Sequence, residues 1–310
     1  MFDSGNVISY KMKFITITKY NIPLKFLKLL LLLACFWFFY FLDCTENPFG
    51  NDIKIAHNSI SGKVELSDKL TPNDVYVWFK ELNISTRTDK NGYFNLALPS
   101  PHRQPGGGVD GIFYLYFYVA NYNLDSVRIT ITNGNLNISS DYMNDDGKLK
   151  GVITLTKLLD ITTLVKPRAI SKRIYNDTIF TEVTLRAFKT DVQVFGSVSK
   201  SDPPYLDGIL LDSNKNFVKI LRGDYAGFET SVYHVGNDSE TIQPIMFKYE
   251  PGLLTIGNYE IIPYLVIQQK LPSGLIKSLG EGVMSLSEEY LKMPIKVKNN
   301  QFQVYDEIIY

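Results

Sequence analysis

Short alternating apolar and polar stretches predict an all-β chain. They are separated by Gly, Pro and Asn turns at roughly ten-residue intervals. The expected architecture is two β-sandwiches, transthyretin-like then immunoglobulin-like, behind an N-terminal signal or anchor segment. Three observations carry this. Period-two patterning recurs from residue 59 to residue 283, no stretch has the length and 3.6-residue period of a long amphipathic helix, and one basic-then-apolar run stands near the start. The chain of 310 residues is 45% hydrophobic and 21% charged, enough apolar surface to build a core. Lys+Arg and Asp+Glu both number 32, so no basic field favours nucleic acid, and no nucleic-acid partner is expected.

Lys11, Lys13, Lys19, Lys25 and Lys28 precede an uninterrupted apolar run over 29–42. A run of that length fits a secretory signal and falls short of the ~20 residues that span a bilayer. Met12 is a candidate start, because the residues after it form a more typical basic region. The chain has two cysteines, Cys35 and Cys44. No disulfide or cysteine-based zinc site can therefore form after Cys44. Cys44 ends the run and is followed by a polar segment with one Pro and one Gly, which resembles a bacterial lipoprotein signal. That resemblance implies a diacylated Cys44 at the mature N-terminus, a tether over 44–58, attachment to the membrane by lipid, and a place in the bacterial cell envelope, at the outer membrane or facing the periplasm. Asp43 stands where such signals have a small residue. Cys35 has Ala34 before it but would leave seven apolar residues exposed, and an uncleaved anchor over 1–43 is the third possibility.

After the tether, Ile60, Gly62, Val64 and Leu66 share one parity, and 71–74 (Thr-Pro-Asn-Asp) makes a turn. Val75, Val77 and Phe79 alternate with Tyr76, Trp78 and Lys80, as in a strand with one buried face. Asn91-Gly92 marks a hairpin turn before the alternating stretch 93–98. Gly62-x-Val64, Val75-x-Val77 and Thr88-Asp89-x-Asn91-Gly92-x-Phe94-x-Leu96 resemble the carboxypeptidase regulatory-like domain. The resemblance covers residues 60 to about 157 and implies a seven-stranded, transthyretin-like sandwich over 59–158. In that family a strand ends in an aromatic–Gly–Tyr corner; Ala120-Asn121-Tyr122 stands there, with Asn121 expected to take the left-handed conformation. The family's metallopeptidase ligands belong to a separate domain, so no peptidase activity is implied.

The inward set of this sandwich is expected to be Val64, Val75, Val77, Phe79, Phe94, Leu96, Phe117 and Ile129. Residues 148–158 read as its closing strand and 159–176 as a linker with few contacts across it. Over 177–310 the expected strands are 181–188, 192–198, 208–211, 217–221, 228–235, 245–249, 259–268 and 276–283. Tyr259 weakly resembles the strand-corner tyrosine of immunoglobulin-like domains, and 287–292 reads as one helical turn with Ser287 as its cap.

Chemistry-bearing groupings are few. Tyr76 and Trp78, with Tyr114, Tyr116 and Tyr118, put aromatics on alternate positions of two strands. They form a possible platform for sugar or peptide ligands, or else an ordinary sheet face. Asp141, Asn144, Asp145, Asp146 and Gly147 are oxygen-rich but lack the EF-hand register, which favours an acidic hairpin over a calcium site. His57, His102 and His234 have no partners at relay spacing, and Gly106–Gly108 lacks the Lys of a phosphate loop. No catalytic residue, metal site or cofactor is therefore expected. The function expected is a non-enzymatic structural, assembly or binding module, with a cell-envelope protein or a glycan as partner. The alternative is a dedicated carbohydrate- or peptide-binding sandwich, and the third possibility is an enzyme or enzyme inhibitor.

Overall fold

The computed structural model describes residues 59–137, 142–144, 146–222 and 227–306. Cys35, Cys44 and the rest of the signal and tether lie outside these residues, as do Asp141 and Asp145 of the acidic loop. The fold is all-β. One three-stranded sheet runs β4 (Tyr93–Ala97), β1 (Ser59–Leu66), β8 (Lys148–Leu155), with β8 parallel to β1. A five-stranded antiparallel sheet faces it, in the order β3 (Ile84–Arg87), β2 (Tyr76–Phe79), β5 (Gly111–Tyr118), β6 (Asp125–Thr132), β7 (Asn135–Leu136).

Alternation drives this packing. Along β1 every second residue is buried, and all eight expected core positions are 5% exposed or less. The ring of Phe94 meets Phe117 edge-on with centroids 5.6 Å apart. Gly62 makes room for it, since a Cβ there would stand 2.8 Å from the Phe94 ring. Gly92 takes φ +84° in the predicted turn, where a Cβ would meet the Val64 carbonyl oxygen at 2.1 Å. The Asp89 carboxylate accepts from the amides of Asn91 and Tyr93, which closes the turn.

Residues 159–176, expected as a linker, hold two strands instead, over 159–166 and 169–171. β9 (Leu159–Lys166) buries alternate residues and pairs with β11 (Thr178–Ala187), whose other edge pairs with β16 (Thr241–Lys248). β10 (Ala169–Ser171) runs parallel to β19 (Gln301–Tyr305) at one edge of a second five-stranded sheet. That sheet continues through β17 (Gly257–Pro263), β13 (Gly208–Asp212) and β14 (Phe217–Leu221). A last sheet has the order β15 (Phe228–Val235), β12 (Val192–Ser199), β18 (Leu265–Ile267). The expected strand 259–268 thus serves two sheets, changing at Tyr264. The expected strand 276–283 is the short helix α1 (Leu275–Leu279), which buries Leu275 and Leu279. The turn after Ser287 is a 3-10 helix, Glu288–Lys292. Tyr259 is buried and donates to the Thr255 carbonyl at 2.9 Å, a tyrosine bonded back to the chain just upstream.

Two apolar cores result. One lies between the first two sheets. The other fills the later sheets and also takes in Tyr76, Trp78, Tyr118 and Ala120 from the back of the β2–β5 sheet. The expectation of few contacts across 159–176 is therefore overturned. Asn121 departs from its expected role too: it is not among the residues with left-handed backbone and is fully buried. Its side chain donates to the carbonyls of Leu159 and Lys296 and accepts from the Lys296 amide. Asn serves here because it carries a donor and an acceptor on one short side chain.

Candidate functional site

The five aromatics singled out from the sequence do not form one open platform. Tyr76, Trp78 and Tyr118 are 4%, 2% and 3% exposed, and the C-terminal segment covers them. The Tyr76 hydroxyl donates to the Ser278 carbonyl at 3.0 Å, and Tyr118 reaches Met293 Sδ at 3.4 Å. The Trp78 ring lies against Gly274, and its indole N–H donates to Asn83 Oδ1. A stacked ligand needs a free ring face, which these three residues lack. Tyr116 is half-buried, and Tyr114 is 44% exposed at the open end of the row. Trp78, Tyr116 and Tyr114 follow one another at 5.8 and 6.2 Å with modest tilts.

Where the same back face turns towards the C-terminal segment, a cleft of about 680 Å³ opens. That volume lies within the ~300–1,000 Å³ common for small-molecule sites. Asn73, Asp74 and Thr88 supply one wall, from the loop before β2 and the residue after β3. Leu211, Lys215, Glu260 and Ile262 supply a second wall, from β13, its turn and β17. The rest comes from Tyr290 and Leu291 of the 3-10 helix and from the extended segment after it, in which Met293, Ile295 and Val297 alternate with Lys296 and lead to Asn300 and Gln301.

Both carboxylates of the cleft are occupied. Asp74 pairs with Arg87 at 2.8 Å. Glu260 pairs with Lys215 and accepts from Gln301 at 2.9 Å and Asn300 at 3.4 Å. Lys296 differs. Its ammonium donates to the Asn73 carbonyl at 2.6 Å and to Asn73 Oδ1 at 2.9 Å, both neutral oxygens. Burial pushes it down to about 8, against the upward pull of Asp74 and Asp68 and with the downward push of Lys215 and Arg87. One loosely compensated cation therefore sits in a polar cleft.

A second charged group lies at the seam between the cores. Lys157, 4% exposed, reaches Asp68 and Asp160 at 2.5 Å each, and Lys298 reaches Asp160 at 2.9 Å. Tyr122, fully buried, donates to Asp68 at 2.9 Å. Burial works to raise Asp68 and Asp160, but the hydrogen bonds from Lys157, and from Tyr122 or Lys298, outweigh it and hold both carboxyls below their ordinary value. With two cations and two anions the group is balanced, a structural tie.

Sequence reasoning passed over Lys296 and Asn73. They lie more than 200 residues apart, and neither belongs to a motif; the only signal was the parity of 293–297, which sets lysine opposite to Met, Ile and Val.

No family model matches the chain, and no curated protein matches it. Among solved structures, a similar chain is described as "The Bacillus anthracis TIE protein", with a TM-score of 0.20 and 7% identity. That match covers 66% of this chain and 45% of the other, so the alignment spans less than half of that protein's length.

Proposed function

We propose that this chain is a non-enzymatic module of a bacterial cell envelope, held at the membrane by a lipid on Cys44. In this reading residues 59–158 are a carboxypeptidase regulatory-like sandwich. The module works as a stiff structural or assembly unit, with an envelope protein or glycan as its partner. The observation that carries it is the covered part of the back face of the β2–β5 sheet. Tyr76, Trp78 and Tyr118 are spent on joining the two cores, as a stiff spacer requires. The basic and apolar N-terminal run ending at Cys44 supplies the anchoring half of the argument.

Metabolic labelling with a palmitate analogue tests the anchor. The wild-type chain takes up label and fractionates with membranes, and Cys44→Ser loses both. Label that survives Cys44→Ser removes the lipid reading at that residue, and Cys35→Ser then separates the second cysteine from an uncleaved anchor.

A second reading, a carbohydrate- or peptide-binding sandwich, is favoured by the open end of the aromatic row, where Tyr114 and Tyr116 keep ring surface.

A further inference from the structure

We propose that the cleft around Lys296 is a binding site for a small organic acid, held by one carboxylate on the Lys296 ammonium and by neutral contacts along its body. The inference does not depend on the anchor, since it rests on residues 73–301 alone.

The argument is one of charge and shape. A half-buried cation hydrogen-bonded only to neutral oxygens has unspent attraction for an anion. In this cleft Asp74 is engaged by Arg87, and Glu260 by Lys215, Asn300 and Gln301, so neither carboxylate is free to supply that anion. Asn73 holds the lysine by its carbonyl and side-chain oxygen, which fixes the ammonium and leaves its remaining N–H for a ligand. Ile295 and Val297 flank Lys296 in sequence and line the same cleft, which suits a body with some apolar surface. A lysine makes a point contact, so it selects for charge and leaves the body to the walls. A larger anion such as a nucleotide would call for several unspent cations at one end, whereas here Lys215 is held by Glu260 and Arg87 by Asp74.

Ligand and proton compete for opposite states of the same nitrogen. Binding of a carboxylate requires the protonated amine, so affinity should fall as pH rises through about 8. A bound carboxylate should in turn raise the pH at which Lys296 becomes reactive.

The test uses the full chain in detergent, trace-labelled with acetic anhydride between pH 6 and 11 and read lysine by lysine by mass spectrometry. Lys296 should label with a midpoint near 8, well below the ordinary lysine value of 10.5. Millimolar glucuronate or glutamate should move that midpoint up by about one unit and give measurable heat of binding, whereas glucose should do neither. Glucuronate alone would place the ligand among acidic sugars, and glutamate alone among amino acids or peptide termini. Lys296→Gln keeps a donor for Asn73 and should weaken binding by at least about tenfold, with the thermal midpoint preserved. The site is overturned if neither acid moves Lys296, if glucose acts as well as the acids, or if Lys296→Gln binds like the wild type.

Discussion

Side-chain fit decides the first core. Phe94 is 5% exposed, faces Phe117, and fills the space that Gly62 leaves open. Truncating such a ring typically costs ~3–5 kcal/mol, because surrounding atoms relax only partly into the void. Phe94→Ala should lower stability by about that much in a denaturant titration, and a cost below ~1 kcal/mol would contradict the packing described. Gly62→Ala should destabilise for the opposite reason, since its Cβ would press on the ring. These contacts were legible in the sequence, because parity within each strand assigned the inward residues correctly. The role of Asn121 was not legible. A fully buried amide that links Leu159 and Lys296 has a long-range cause, and the local cue pointed to backbone conformation instead.

At the scale of elements, parity also explains what the sequence hid. β9 carries Leu159, Ile161, Thr163 and Val165 inward, yet it follows the preceding strand with no Gly or Pro between and ends beside Pro167 and four basic residues. Those cues read as a linker, and only pairing with β11 reveals a strand, at the edge of its sheet. Helix α1 was misread because its five residues are too few to show a 3.6 period. The cleft was hidden for a related reason, since its walls come from segments that meet only after the strands have paired. The charged tie where β1 ends and β9 begins sets an acid limit on stability. Asp68 and Asp160 are held below the ordinary 3.8, so their contribution is complete above that value and is lost as pH falls through their lower folded values. Thermal midpoints should therefore drop steeply below about pH 4. Asp68→Asn should flatten that limb while lowering the midpoint at neutral pH, because Lys157 then keeps only Asp160. Lys157→Met leaves two buried or half-buried carboxylates with Lys298 alone, and should cost ~3 kcal/mol or more at neutral pH. An acid limb unchanged in Asp68→Asn would show that other carboxylates set it.

The whole molecule turns on the joint between the cores. A chain of two independent sandwiches would melt in two steps, with Phe94→Ala confined to the first. The structure argues otherwise, because Tyr76, Trp78 and Tyr118 lie in the second core while their strands also line the first. Losing β2 and β5 would therefore open both cores at once. The joint is also hydrogen-bonded along its length: the Ala120 amide donates to the Pro294 carbonyl at 2.7 Å, and Gln269 donates to the Ala120 carbonyl at 2.9 Å. Calorimetry on the wild type should then give one transition, with calorimetric and van't Hoff enthalpies in agreement. Phe94→Ala should shift that single transition down without splitting it. Trp78→Ala combined with Tyr76→Phe acts differently, since it removes the ring against Gly274 and the bond to Ser278 while leaving the first core's own contacts intact. It should weaken the coupling and resolve two transitions, the separation expected when an interface is lost but each core survives. Two transitions already present in the wild type, or a second transition untouched in Phe94→Ala, would show that the cores fold independently and that the aromatic joint is contact without coupling.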